Sequence, residues 1–286
     1  MNSASIIIPT YNENQGLSTI LKKIENFLNE NKNFDCEFIF VDDGSDQPIE
    51  QHINKSDRIK VVRNNNNSGY GFSIKKAVKE SRYELIGIID ADDSYDFDFL
   101  IANIKNFSNE IDLLVGKRKF NFDEGLLRKT YRSFLNTFSS ILCNFKIQDI
   151  NSGIRLFKKD FFLKNINYFP DKFSITSTQT LIYIMNNKKI KYIETSYSKR
   201  SGKSKINIFK DPFNFIFLIL KIYMLFAPLK FFTWTGLIFI LVAFLIGILT
   251  LFFFFSIADV TVLLLFLTGV NCILIGLLAE TIRLKK

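Results

Sequence analysis

The sequence contains few of the residues that most often form cross-links or proton-transfer sites. It has three cysteines, Cys36, Cys143 and Cys272, which are far apart and form no paired-ligand spacing. This pattern argues against a disulfide scaffold and against a structural zinc site, and it favours a reducing compartment. His52 is the one histidine, so chemistry that needs a histidine base or a histidine metal ligand is not expected.

Charged residues are absent from two long stretches near the C-terminus. Residues 231–257 and 260–279 contain none, and each stretch is long enough to cross about 30 Å of hydrocarbon as a helix. We therefore predict that residues 231–286 form a transmembrane hairpin with a short basic tail. Two buried helices of a soluble core are the alternative, but these stretches lack the polar face that a soluble helix shows.

The basic residues that flank these stretches predict an orientation. Lys221 and Lys230 precede the first stretch, Arg283 and Lys285 follow the second, and the link between the stretches has no lysine or arginine. The positive-inside rule then places the N-terminal domain, residues 1–210, in the cytoplasm. We expect an integral membrane protein of a bacterial inner membrane.

The stretch between domain and hairpin, residues 211–230, is very apolar but includes Lys221 and Pro228. We predict that it forms an amphiphilic helix in the membrane interface. A third span is the alternative, and it would bury Lys221 and reverse the orientation. The N-terminus has no basic leader before its short apolar run, so no signal peptide is predicted. The net charge is +9, and basic residues cluster near the membrane flanks and in the run KRSGKSK at residues 199–205, so nucleic acid is not an expected partner.

Short β-branched runs alternate with helical patterns over residues 1–210. The runs SIIIPT, CEFIFV, IKVVRN and YELIGII predict four strands, and helical patterns follow the first and third of them. This alternation predicts an α/β domain with a doubly wound, mainly parallel sheet. Ligands of such sheets bind beyond the carboxyl ends of the strands.

Aspartates follow two of these predicted strands. Asp42 and Asp43 follow the second strand, and Asp90 and Asp92 follow the fourth. Carboxylates that share one cleft repel each other unless a cation lies between them. Asp90 and Asp92 are two residues apart, so in extended geometry both side chains point to one side, and hard oxygen ligands suit Mg²⁺ or Mn²⁺. Aspartates that form ordinary turns are the alternative.

Several motifs, in this order and spacing, resemble a known family. IIIPTYNE, FVDDGS, NNSGYG and IIDAD resemble the nucleotide-diphospho-sugar transferases of glycosyltransferase family 2, which implies a GT-A type fold. IQDINSGIRLFKK and YSKRSGKSKI look like the branch that transfers sugars to polyprenyl phosphates, the dolichol-phosphate mannosyltransferase-like group. The stretch 211–230 is similar to the segment that joins the catalytic domain to the membrane in bacterial members.

The resemblance implies roles for particular residues. Those implied to bind the nucleotide sugar are Pro9, Tyr11, Glu13, Asp42, Asp43, Gly69, Gly71, Asp90, Ala91, Ser152 and Gly153. Asp90 and Asp92 are implied to hold the metal. Asp92, Asp149 and Arg155 are implied to act in catalysis. Dolichol-type enzymes often have Leu-Gln after Asp-Ala-Asp, whereas this chain has Asp93-Ser94, whose serine would reach the metal through water.

The implied reaction moves a hexose from a nucleoside diphosphate sugar to a polyprenyl phosphate. A metal that bridges the diphosphate would stabilise the leaving group. The acceptor phosphate, with a second pKa of about 6, is mostly ionised at neutral pH, so an in-line, inverting attack needs little help from a base. Cations for this phosphate are predicted at Arg118, Arg128, Arg132, Arg200, Lys203 and Lys205. A solvated face, or adhesion to anionic lipid, is the alternative reading of these cations.

Other functions remain open from the sequence. A membrane-tethered transferase that acts on a hydroxyl acceptor, such as a glycan or glycolipid, would share the donor site but would need Asp149 as a base rather than as a positioning group. A non-catalytic scaffold that binds nucleotide sugars is the non-enzyme alternative, and the intact set of carboxylates argues against it. The sequence predicts neither the sugar nor the nucleotide, and packing of the two predicted spans into a homo-oligomer is compatible with it.

Overall fold

The computed structural model describes residues 3–123, 125–172, 174–199, 211–254 and 259–285. The chain divides into two compact units, one that ends at Ile216 and one that begins at Phe217. Three of the predicted phosphate-binding residues, Arg200, Lys203 and Lys205, lie outside the described residues.

The first unit contains a mixed sheet. Its strands are β1 Ala4–Thr10, β2 Cys36–Asp42, β3 Ile59–Arg63, β4 Leu85–Ile88, β5 Leu113–Phe120, β6 Arg155–Lys158 and β7 Ile190–Tyr197. Among the described residues the strand order is β3-β2-β1-β4-β6-β5-β7. The pairs β1–β2, β1–β4, β2–β3 and β5–β7 are parallel, whereas β6 is antiparallel to β4 and to β5. The predicted α/β fold with a mainly parallel sheet is confirmed.

Helices connect these strands, as the alternating pattern predicts. They are α1 Asn14–Glu30, α2 Tyr70–Glu80, α3 Phe97–Lys105, α4 Leu126–Cys143, α5 Lys159–Lys164 and α6 Ile175–Met185, with short 3-10 segments at Ile49–His52 and Ile166–Tyr168. In α1, Leu17, Ile20, Ile24 and Phe27 recur every three or four residues and are all buried. This spacing places them on one helix face, which packs into the hydrophobic core.

The central strands bring their carboxyl ends to one edge of the sheet. Every residue of β1 and of β2 is buried, as expected for strands of a parallel sheet that is covered on both faces. The register pairs Thr10 with Asp42 and Asp42 with Arg63. The polar residues that end these strands are therefore neighbours, although they are far apart in sequence.

The second unit contains two long apolar helices. After α7, Asp211–Phe226, the chain forms α8, Pro228–Phe254, and α9, Asp259–Leu284. Spans of 26 and 25 residues within α8 and α9 are long and apolar enough to cross a membrane. The two helices pack closely, since a Cβ atom added at Gly236 would lie 2.5 Å from the carbonyl oxygen of Gly269. The predicted hairpin of apolar helices is confirmed, whereas the interfacial position of residues 211–230 stays a prediction.

Candidate active site

The loops after β1 and β2 are joined by hydrogen bonds. The Asn12 backbone N–H donates to Ser45 Oγ over 3.0 Å, and its side-chain amide donates to Asp46 Oδ2 over 3.1 Å. Asn12 has a positive φ of 55°, which asparagine adopts more readily than most residues. These contacts hold the loop that contains two of the predicted nucleotide-binding residues, Tyr11 and Glu13, at the carboxyl edge of the sheet. A third, Pro9, is the second-last residue of β1.

Asp42 and Asp43 are both buried, and each holds a loop. Asp42 accepts a hydrogen bond from the Ser45 N–H over 2.8 Å and pairs with the Arg63 guanidinium at 2.5 Å. Asp43 accepts a hydrogen bond from the Gly69 N–H over 2.9 Å. In this arrangement both carboxylates shape the loops around the edge, and a direct contact of either one with a nucleoside stays a prediction.

Gly69 and Gly71 lie where α2 begins, next to the segment that precedes α6. Gly69 has a φ of 106°, a conformation that side chains rarely allow. A Cβ atom at Gly69 would lie 2.4 Å from the Asp171 carbonyl oxygen, and one at Gly71 would lie 2.1 Å from that of Pro170. The two glycines therefore allow two backbone segments to approach each other, and a contact of either glycine with the nucleotide sugar stays a prediction.

Asp90 lies between a tyrosine and a glycine. The Tyr70 hydroxyl donates to Asp90 Oδ1 over 2.8 Å, and a Cβ atom added at Gly153 would lie 2.5 Å from Asp90 Oδ2. Burial raises the pKa of Tyr70, and the negative charge of Asp90 raises it further. Tyr70 therefore stays protonated and remains a hydrogen-bond donor to Asp90 at neutral pH.

The loop that contains Asp92 has its own set of contacts. Asp92 is 7% exposed, and its Oδ1 accepts hydrogen bonds from the backbone N–H and the hydroxyl of Ser94. Asp93 has a positive φ of 57° and pairs with Lys23 of α1 at 2.6 Å. Ser94, which replaces the glutamine of dolichol-type enzymes, is thus a direct partner of Asp92.

A cavity lies beside this loop. Its volume is about 450 Å³, and Asp92, Lys23 and Lys199 are among the residues that line it. Helix α1 packs tightly against the same loop, because a Cβ atom at Gly16 would lie 2.3 Å from the carbonyl oxygen of Ala91. Ala91 is therefore enclosed, and Asp92 borders open space.

The carboxylates of this edge fit a magnesium or manganese ion that substrate helps to bind. Among the residues described, no three His, Cys, Asp or Glu side chains are close enough to hold a metal by themselves. Asp90 and Asp92 offer two hard oxygen donors, and Mg²⁺ is often bound by one or two carboxylates together with substrate phosphates. The donor set therefore suits an ion that a diphosphate completes.

A chain of contacts connects Asp90 with Arg118, whose side chain is 14% exposed. The Gly153 N–H, next to Asp90, donates to the Tyr95 hydroxyl over 2.7 Å. The Tyr95 ring meets the Tyr197 ring at a centroid distance of 4.8 Å. The Arg118 guanidinium lies 5.4 Å from the centroid of Tyr197, within the range of cation–π attraction. The aspartates after β4 and the end of β5 therefore belong to one connected site.

Arg118 and Asp149 form a bidentate ion pair. Arg118 donates from Nε to Asp149 Oδ2 over 2.8 Å, from Nη2 to Oδ1 over 2.7 Å, and from its backbone N–H to Oδ2 over 3.1 Å. Asp149 is 2% exposed. Burial alone would raise the pKa of Asp149, but the charge and hydrogen bonds of Arg118 outweigh it, and the pKa lies below the usual value. A carboxylate held in this way is a weak base.

A second arginine lies close to this pair. The Arg132 guanidinium of α4 lies 4.1 Å from the centroid of Phe120, and Arg118 lies 5.5 Å from the same centroid. Arg128 is exposed one turn earlier on α4. The structure thus brings together two of the predicted phosphate ligands, Arg118 and Arg132, with Arg128 on the same helix.

Arg155 is fully buried, and its hydrogen bonds reach the loop before it. Its exposed fraction is 0%, and it donates to the carbonyl oxygens of Ser152 over 2.7 Å and Ile150 over 2.9 Å and to Thr180 Oγ1 over 2.9 Å. The Ser152 hydroxyl is buried and has no hydrogen-bond partner among the described residues. Arg155 thus holds the loop of Asp149 and Gly153 from inside the protein.

Three residues of the site were missed from the sequence. Tyr70, Tyr95 and Lys23 contact Asp90, Gly153 and Asp93, respectively. Tyr70 lies inside the motif NNSGYG, and Tyr95 lies three residues after the motif IIDAD, so their places in or near these motifs were the available signal. Lys23 lies on an ordinary helix face and carries no such signal.

Comparison with known families and proteins agrees with this geometry. Residues 5–165 match the model of glycosyl transferase family 2, and residues 227–283 match the GtrB C-terminal hairpin. A dolichyl-phosphate beta-glucosyltransferase of Dictyostelium discoideum is 31% identical over 178 residues, which cover 54% of each chain. The chain thus spans about half the length of the curated relatives that it matches first.

Other proteins match over more of the chain. A prophage bactoprenol glucosyl transferase homolog of Escherichia coli is 25% identical over 290 residues, which cover 97% of this chain and 92% of that protein. The crystal structure of glucosyl-3-phosphoglycerate synthase from Mycobacterium tuberculosis, in complex with Mn²⁺, UDP and glucosyl-3-phosphoglycerate, has a TM-score of 0.59 at 12% identity. The matched region covers 77% of this chain and 80% of the synthase chain, and the match shows that the two folds are similar.

Proposed function

Because the chain belongs to glycosyl transferase family 2, we propose that it transfers a hexose, with inversion, from a nucleoside diphosphate sugar to a polyprenyl phosphate. The observation that carries this proposal is the chain of contacts from Asp90 through Gly153, Tyr95 and Tyr197 to Arg118. It joins carboxylates suited to a metal-bound diphosphate with arginines suited to a phosphate acceptor.

The relatives support this choice of substrates. The Dictyostelium and E. coli relatives are named for glucosyl transfer to dolichyl phosphate and to bactoprenol, and the M. tuberculosis structure contains Mn²⁺ and UDP. Glucose is therefore the first sugar to test. We assign Asp90 and Asp92 as the residues that would hold Mg²⁺ or Mn²⁺, and the bound ion would stabilise negative charge on the departing diphosphate.

The polar residues of the chain fit an acceptor that is already ionised. The low pKa of Asp149 and its pairing with Arg118 make it unsuited to remove a proton, so we assign it to hold Arg118 in place. A phosphate acceptor is mostly ionised at neutral pH and needs no strong base. Arg132 and Arg128 would bind its oxygens together with Arg118, since arginine forks match phosphate geometry.

We assign Arg155 as a positioning residue. Because it binds the carbonyl oxygens of Ile150 and Ser152, it fixes the loop that places Asp149 against Arg118 and Gly153 against Asp90. It is fully buried, so in this arrangement it acts through that loop.

The membrane is the expected source of the acceptor. Helix α4, which carries Arg128 and Arg132, exposes Leu126, Leu127 and Ile141, and such apolar exposure near basic residues suits contact with lipid. We propose that residues 1–210 form a cytoplasmic catalytic domain, residues 211–230 an interfacial helix, and residues 231–286 the membrane anchor. The basic flanks and the uncharged link support this orientation.

A donor screen tests the proposal. Membranes that contain the full-length protein receive undecaprenyl phosphate, Mg²⁺ or Mn²⁺, and one of several radiolabelled sugar nucleotides, including UDP-glucose and GDP-mannose. We expect one donor to label a lipid product, and we expect Asp92→Asn to reduce labelling by about 100-fold or more, because metal stabilisation of the leaving group contributes several kcal/mol. Unchanged turnover in Asp92→Asn would contradict the metal assignment, and binding of a sugar nucleotide without any turnover would favour the scaffold function.

A further inference from the structure

The loop from Asp149 to Gly153 carries a polar side chain that a ligand can reach. Asp149, Ile150 and Ser152 are buried. Gly153 has only a hydrogen as its side chain, whereas Asn151 is partly exposed. Within this loop, which the structure describes in full, the Asn151 amide is therefore the accessible polar group.

A hydrogen bond orients this amide. The hydroxyl of Ser177, in the first turn of α6, donates to Asn151 Oδ1. The Asn151 side chain makes no other hydrogen bond with any residue that the structure describes. An asparagine amide carries two N–H donors besides its oxygen, so the contact with Ser177 occupies the oxygen and leaves both donors available to a ligand.

The loop also connects the two halves of the proposed reaction site. At one end Asp149 binds Arg118, and at the other end a Cβ atom added at Gly153 would lie 2.5 Å from Asp90 Oδ2. Asn151 is the middle residue of this loop. A sugar that leaves a diphosphate held near Asp90 for a phosphate held near Arg118 passes between these two residues, and thus beside the middle of the loop.

Helix α6, which carries Ser177, is connected with the surroundings of Asp90 as well. The segment that precedes α6 packs against the start of α2, since a Cβ atom added at Gly71 would lie 2.1 Å from the Pro170 carbonyl oxygen. Tyr70, next to Gly71, donates to Asp90 Oδ1 over 2.8 Å. Both partners of the hydrogen bond that orients the amide are therefore held near Asp90, one through the loop and one through the start of α6.

We propose that Asn151 determines which sugar is transferred, because its amide donates a hydrogen bond to a hydroxyl of the donor hexose while Ser177 keeps it oriented. Hexoses differ in the directions of their hydroxyls, and a few precisely placed polar groups fix the orientation of a bound ligand. A site that hydrogen-bonds a substrate hydroxyl discriminates strongly against an analogue that lacks it. The inference deepens the proposed transferase function and rests on it for the class of ligand.

Donor binding without turnover supplies the first test. Full-length protein with Mn²⁺ is titrated calorimetrically with UDP-glucose and GDP-mannose, and with UDP and GDP as the matched ligands without a sugar. We expect Asn151→Ala to weaken binding of the preferred sugar nucleotide by roughly 3- to 10-fold and binding of its nucleoside diphosphate by less than about 2-fold. Because no acceptor is present, this result is independent of polyprenyl phosphate, and a failure of sugar transfer is distinguishable from a failure of the sugar contact.

Donors that lack single hydroxyls identify the contact. Transfer is measured with the preferred donor and with a series of analogues that each lack one sugar hydroxyl. The wild type should lose kcat/KM by roughly 10-fold or more with one analogue. Asn151→Ala should be slow with the complete donor and should show no further loss with that analogue. Ser177→Ala, which keeps the amide but removes the group that orients it, should discriminate less than the wild type against the same analogue.

Asn136→Ala is the matched control for the geometry of the loop. Asn136 of α4 donates to the Gln148 carbonyl oxygen over 3.0 Å and accepts from the Ile150 N–H over 3.1 Å, so both ends of its amide are occupied, and its loss should slow transfer from all donors alike. Thermal unfolding shows whether each variant is folded. Wild-type selectivity in Asn151→Ala, an equal loss of affinity for the sugar nucleotide and its nucleoside diphosphate, or no binding of either sugar nucleotide by the wild type would overturn the proposal.

Discussion

The sheet unit and the hairpin unit accommodate polar groups in different ways. In the sheet unit, buried charged groups bind across the chain, as Arg118 binds Asp149 and Arg155 binds the loop before it. In the hairpin, hydroxyls such as that of Thr235 donate to a carbonyl oxygen one turn earlier in the same helix. The helices there approach each other through Gly236 and Gly269. Long-range polar contacts therefore shape the first unit, and small residues that permit close packing shape the second.

This difference predicts where substitutions have the largest effect. A buried ion pair that loses one partner leaves an uncompensated charge, whereas a helix pair in lipid is most sensitive to a change in volume at its closest approach. The sheet unit should thus respond most strongly to changes of charge, and the hairpin to changes of size.

The largest expected effect is on the Arg118–Asp149 pair. Asp149→Asn should lower the free energy of unfolding of the sheet unit by about 3 kcal/mol, because the largely buried Arg118 would lose its charged partner. Since the pKa of Asp149 is lowered by folding, the stabilisation is complete above the unfolded pKa of about 4 and is lost as the pH falls through the folded pKa. The difference in free energy of unfolding between the wild type and Asp149→Asn, measured by circular dichroism, should therefore become smaller below about pH 4.

A matched exposed pair supplies the control for that measurement. Lys117 and Glu194 lie 2.8 Å apart, and the side chain of Glu194 is 60% exposed. Glu194→Gln should change the free energy of unfolding much less than Asp149→Asn does, because water screens exposed pairs. Equal effects of Asp149→Asn and Glu194→Gln would show that Asp149 has no special structural role.

The next effect concerns Arg155. Arg155→Lys keeps the charge but loses the fork that reaches two carbonyl oxygens, so we expect kcat to fall by roughly 10- to 100-fold through misplacement of the loop, with a smaller change in KM. Arg155→Met should lower kcat further than Arg155→Lys does. A rise in KM with kcat unchanged would contradict the positioning role.

The stability of Arg155→Lys should also depend on pH. Burial lowers the pKa of Arg155 to about 10, and the groups around it are Asp149 and the tyrosines Tyr70, Tyr95 and Tyr192. A lysine at this position would likewise have a pKa below its usual value of about 10.4. Because the unfolded state would then bind more protons, the free energy of unfolding should rise with pH up to about 10.4. If the difference in free energy of unfolding between Arg155→Lys and the wild type did not change with pH, the charge at this position would not be buried.

The smallest of these effects tests the hairpin. Gly236→Ala should destabilise the helix pair by about 1–3 kcal/mol through overpacking, because the new Cβ would meet Gly269 backbone at 2.5 Å. At Gly247 the nearest atom to such a Cβ, on Val262, is 3.7 Å away, so Gly247→Ala should be neutral or slightly stabilising. Fluorescence of Trp234, the chain's one tryptophan, reports unfolding in detergent. Equal effects at both glycines would contradict the close helix contact.

The sequence predicted the parts of the fold that leave a local pattern. β1, β2 and β4 were recognisable because each is a mainly apolar run that stops at polar residues, and β3 because it is a short β-branched run. The apolar helices were recognisable because they lack charge. The antiparallel insertion of β6 between β4 and β5 was not recognisable from the sequence. The strand Arg155–Lys158 is short, and its pairing depends on strands that are distant in the sequence. The contacts of Tyr70 and Tyr95 span 20 and 58 residues, so no periodicity reveals them.

The nature of the acceptor is the most direct test of the central claim, that carboxylates and arginines at one sheet edge bring a sugar diphosphate to a lipid phosphate. Full-length protein, supplied with the preferred sugar nucleotide, is offered undecaprenyl phosphate and undecaprenol in parallel, and lipid-linked sugar is measured. We predict product from the phosphate only, and loss of most of this product in Arg132→Gln. Transfer to the alcohol at an equal or higher rate would contradict the account.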